Sequence, residues 1–89
     1  MPLKGETRMQ INQEKVIEIL NFCVESGMHE GEILLGLLQA KQVGLTPGEF
    51  IGYKEYCIEQ GYFEAYHKTY RGIIAQGLTT TAINMMSRK

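Results

Sequence analysis

Gly27, Gly44, Gly61 and Gly77 stand 17, 17 and 16 residues apart, and each is followed at once by an apolar residue: Met28, Leu45, Tyr62, Leu78. Glycine takes the left-handed backbone conformation that ends a helix without steric cost, and the apolar residue after it packs back on the last turn. Four residues before the glycines stand Cys23, Ala40, Cys57 and Ile73, all of a kind that packs in a core. The period describes short helices of similar length joined by tight corners. Two such units span about the length of a tetratricopeptide helix pair, but the signature residues of that repeat do not line up.

The remaining signals agree with helix. All ten acidic residues are glutamates, which tolerate helix interiors better than aspartate. A first helix is predicted over 12–26, with Asn12 as N-cap and Val16, Ile17, Leu20, Cys23 and Val24 as its apolar stripe. A second is predicted over 30–43, apolar around most of its circumference and therefore the most enclosed, with Gly36 marking a close approach between helices. Thr46-Pro47-Gly48-Glu49 is a capping box with proline at the first helical position, and it opens a third helix ending near Gln60. A fourth, over 63–76, puts Phe63, Tyr66, Tyr70, Ile73 and Ile74 on one face, and a short fifth covers 80–87. The expected fold is all-α: four antiparallel helices and a short fifth, a compact helical bundle of αα-hairpins in one domain over residues 11–89, after a loose lead-in over 1–10.

The chain has 89 residues and an apolar fraction of 44%, enough for one small core that would gain from oligomerisation. No stretch reaches the length of apolar sequence a membrane span needs, and the first ten residues lack the apolar core of a secretion signal. With two cysteines, a cytoplasmic location is expected.

Catalysis and cofactors find little support. Neither cysteine has metal-ligand or CxxC spacing, and both share the packing column of Ala40 and Ile73. Glu64 and His67 are spaced to share one helical face, half of a di-metal bundle ligand set, but the motif occurs once. His29 falls at a corner, the two serines lie outside any nucleophile elbow, and no phosphate-loop spacing or aspartate is present. No enzyme activity, metal, cofactor or small-molecule substrate is expected.

Binding is the better reading. Tyr53, Tyr56, Tyr62 and Tyr66 crowd the third and fourth helices, and Met85 and Met86 give an adaptable apolar tail. These six residues are the expected partner-binding surface of a small regulator or adaptor that self-associates as a homodimer or caps a larger protein. The alternative is DNA. Residues 12–64 hold nine glutamates against three lysines, whereas residues 65–89 hold Lys68, Arg71, Arg88 and Lys89 and no acid. A helix-turn-helix over 69–89 would present Thr79, Thr80, Thr81, Asn84, Arg88 and Lys89 to phosphates and base edges. A second such pattern over 36–55 has the packing residues Ala40, Val43, Leu45, Phe50 and Tyr53, but its exposed face carries Glu49 and Glu55, which phosphate repels.

Overall fold

At Gly27, Gly44 and Gly61 the chain turns as the spacing predicts. Their φ values are +90°, +77° and +72°. Each glycine N–H donates to the carbonyl three residues back, those of Val24, Lys41 and Ile58, at 3.0–3.1 Å. The next N–H donates to the carbonyl five back, Met28 to Cys23, Leu45 to Ala40 and Tyr62 to Cys57, at 2.9–3.1 Å. This pair of bonds is the Schellman motif, and its apolar residue is buried at all three corners.

The computed structural model describes residues 10–70 and 72–87. Over these residues the elements are helix α1 (Gln13–Glu25), strand β1 (Ile33–Gly36), helix α2 (Leu37–Gln42), helix α3 (Pro47–Glu59), strands β2 (Phe63–Thr69) and β3 (Gly72–Leu78), and helix α4 (Thr80–Met86). Helices α1, α3 and α4 match three of the five predicted ones to within a residue or two. Their caps explain why. The Asn12 side chain accepts from the N–H groups of Glu14 and Lys15, and Thr46 and Glu49 bond reciprocally, at 3.2 Å and 2.9 Å. Thr79 accepts from the Ala82 N–H. Each signal is written within four residues of chain.

The all-α expectation is overturned. The fold is α+β, with four helices and a three-stranded antiparallel sheet in the order β1-β3-β2 among the described residues. The predicted second helix is instead β1 followed by the two-turn α2, with Gly36 standing at the junction. Its run Ile33-Leu34-Leu35 is short and wholly apolar, the kind of segment periodicity cannot assign. The predicted fourth helix is the β2–β3 hairpin. Its helical stripe is scattered by the strands: Ile73 is fully buried, Ile74 is half-buried, and Tyr66 and Tyr70 are exposed. Gly36 does mark a close approach, but between strands: it pairs with Gly72, where an added Cβ would run into the Leu35 carbonyl oxygen. Gly77, at φ +80°, ends no helix. Its N–H donates to the Met28 carbonyl at 3.1 Å, and the strand's alternation breaks there, so that Gly77 and Leu78 are both buried.

One sheet face, carrying Leu35, Ile73 and Ala75, belongs to a single core with Val16, Leu20 and Cys23 of α1 and Phe50, Tyr53 and Cys57 of α3. Ala82 and Met85 of α4 join the same core. Fully burying an aliphatic side chain such as Leu20 or Ile73 stabilises by about 1.5–3 kcal/mol. The opposite sheet face, with Leu34, Ala65, His67, Ile74 and Gln76, carries no covering layer among the described residues; of these five only Ile74 is half-buried and the rest are exposed.

Candidate functional site

Strand β1 passes straight into α2 at Gly36, whose N–H donates to the Gln39 side chain at 2.9 Å. With two turns, α2 turns one residue, Ala40, into the core. Leu37 and Leu38 in its first turn are left 54% and 72% exposed. Helix α3 commits Phe50, Tyr53 and Cys57 to the core, which leaves Ile51 on its outer side, 56% exposed. Leu34 of β1 is exposed on the uncovered sheet face.

These four side chains are not scattered. Together with Pro47, an edge of Phe50, and Thr69, Tyr70 and Gly72 at the hairpin end of the sheet, they line one groove of about 600 Å³. The charged side chain in its lining is Lys54, whose stem is mostly buried and whose ammonium lies 3.8 Å from the Glu55 carboxylate. Glu55 is also paired with Lys68, at 3.3 Å. The groove is therefore apolar, open along one side and close to neutral. A second void, about 30 Å³ among Ile19, Phe22, Leu35, Phe50 and Ile73, is a core packing gap of apolar lining.

The six tyrosines and methionines expected at an interface do not form one surface. Tyr53, Tyr62 and Met85 are core residues, each at most 7% exposed, and Met86 packs against that core. The Tyr53 hydroxyl accepts from the Asn12 N–H at 2.9 Å, tying the start of α1 to α3. Tyr56 is half-buried, accepts from the Gln13 amide at 3.1 Å and stands edge-on to Tyr62. Tyr66 is exposed, on β2, with its ring tilted against Phe63. Leu34, Leu37 and Leu38 escaped the sequence reading because the run 33–38 reads as part of the most enclosed helix. The available signal was an apolar run longer than a small core can cover.

The helix-turn-helix over 69–89 is corrected with the fold: the element before its corner is β3, so the segment is strand, corner, helix. Thr79 is occupied as the α4 cap and donates its hydroxyl to the Gly61 carbonyl at 2.7 Å, while Thr80, Thr81 and Asn84 are exposed. Arg88 and Lys89 lie outside the described residues. In the 36–55 segment Ala40, Leu45, Phe50 and Tyr53 are buried as that motif requires.

Glu64 and His67 fall on a strand, where residues three apart point to opposite faces, so they do not share a ligand face. Among the described residues no three histidine, cysteine or acidic side chains come together as a metal site. Cys23 and Cys57 are buried free thiols. Burial pushes both up to about 12, and for Cys23 the neighbouring Cys57 adds to the effect. They are inert packing groups at neutral pH. Among the described residues no helix is long and apolar enough to cross a membrane.

Compared with protein-family models, characterised proteins and solved structures, the chain matches none.

Proposed function

We propose that this chain is a small non-enzymatic adaptor or regulator that binds the apolar face of an amphipathic segment of a protein partner in the groove between β1, α2 and α3. The observation that carries the reading is the convergence of Leu34, Leu37, Leu38 and Ile51 on one concave surface. Single exposed aliphatic residues are ordinary on any protein, but a contiguous apolar patch rimmed by polar groups marks a docking surface. Two helices and a sheet end form the walls, the arrangement that receives an amphipathic helix by its i, i+3, i+4 anchors. An enzyme pocket encloses its ligand and converges several polar groups on it. Here Leu38 stands 72% exposed, and the polar side chains of the lining, Gln39, Lys54, Thr69 and Tyr70, are outnumbered by apolar ones.

Photo-crosslinking in the native host tests this. A photoreactive side chain at position 38 should yield a discrete adduct with another protein, and one at Glu18, on α1, should not. Ile51→Lys should weaken that binding by about tenfold or more, while changing stability by no more than about 0.5 kcal/mol. Equal crosslinking from both positions, or an Ile51→Lys variant that binds as well as wild type, would rule the groove out.

A further inference from the structure

Among the described residues strand β2 is an edge of the sheet, paired with β3 on one side. Residues 64–68 are exposed in an unbroken run of five. An uncovered edge of this length offers its outward N–H and C=O groups to another strand, and proteins blunt such edges with charge. The charges here have opposite sign: Glu64 and Lys68 lie two residues either side of Tyr66, the middle of the seven-residue strand.

That placement is self-complementary, and we infer that β2 pairs antiparallel with β2 of a second copy about a two-fold axis through Tyr66. The register follows from symmetry. A two-fold normal to the sheet keeps each side chain on its own face, so only residues of equal parity can pair, and the axis must fall on a residue. Of the possible centres, Tyr66 alone sets Glu64 opposite Lys68 of the partner subunit. It does so twice, and it overlaps the strand along its whole length, Phe63 opposite Thr69. Opposite charges across an antiparallel pair are stabilising and like charges are not.

The local geometry leaves both groups able to take part. Glu64 has no cation within ion-pair distance among the described residues; its carboxylate lies over Gly77, where a larger residue would collide with it. Lys68 is held at 3.3 Å from Glu55 on α3, and an ammonium with three donors can keep that bond while meeting a second carboxylate. Tyr66, 46% exposed, brings an aromatic side chain to the axis, on the same side of the sheet as the two ion pairs. The product is a continuous six-stranded sheet.

Charge swaps read by analytical ultracentrifugation test the register. Wild type should dimerise below millimolar concentration. Glu64→Lys alone and Lys68→Glu alone should each weaken self-association by about tenfold or more, since each sets like charges opposite at two places. An equimolar mixture of the two single variants should recover association as a mixed dimer, and the double variant Glu64→Lys/Lys68→Glu should dimerise by itself. Circular dichroism should show all of them folded, and Ile51→Lys, in the groove, should dimerise as wild type does. A wild type that stays monomeric at millimolar concentration, single variants that dimerise unchanged, or a mixture that does not associate would each overturn the pairing.

Discussion

Gly48 and Gly61 both have open space where a Cβ would stand, yet alanine should act at them with opposite sign. Gly61 sits at φ +72°, a conformation in which an L residue costs about 1–2 kcal/mol. Gly61→Ala should therefore destabilise the protein by that amount. Gly48 lies in the first turn of α3 with no such constraint, and Gly48→Ala should stabilise by about 0.4–1 kcal/mol by reducing the freedom of the unfolded chain. Urea denaturation with an unchanged slope measures both. At this scale the sequence was most readable. A glycine followed by an apolar residue, or a threonine three before a glutamate, fixes a backbone conformation through bonds made within six residues. The left-handed conformation holds at all four periodic glycines, Gly77 included.

Among elements, what local chemistry specifies is an end, not what the end belongs to. Ile73 to Leu78 carries the same signal as Cys57 to Tyr62, an apolar residue four before a glycine and another after it. One segment is a helix end and the other a strand. The difference lies in pairing partners far along the chain: β3 is central, bonded to β1 about 40 residues before it and to β2 beside it. No window of the sequence contains that information. The groove was hidden for the same reason, because Leu37 and Leu38 are exposed only once residues 33–36 leave the helix to join the sheet. The β1–β3 pairing depends on Gly72 lying flat against Leu35 and Gly36. Gly72→Ala should cost about 3 kcal/mol or more, at the upper end of single-substitution effects, because the obstacle is backbone rather than a movable side chain. A thermal melt little different from wild type would show that the strands do not approach so closely.

For the whole molecule, the buried thiols tie stability to pH. Cys23 and Cys57 keep their protons up to about pH 12 when folded, against an ordinary value of 9.0. Below that ordinary value both states hold the protons and nothing changes. Above it the unfolded chain releases them and the folded chain does not, so stability falls as pH rises, by about 1.4 kcal/mol per pH unit for each thiol. Urea midpoints measured from about pH 8 to about pH 10 should fall accordingly, and Cys57→Ala should make that fall shallower. An unchanged pH slope in Cys57→Ala would show that its thiol is not buried as described.

The groove and the β2 edge exist only if residues 33–36, 63–69 and 72–78 are strands. Backbone chemical shifts of the labelled protein in solution decide this residue by residue. The account predicts Cα shifts displaced upfield and Cβ shifts displaced downfield across all three segments, with helical shifts over 13–25 and 47–59. Helical shifts across 63–76 would restore a bundle of helices and remove both proposed surfaces.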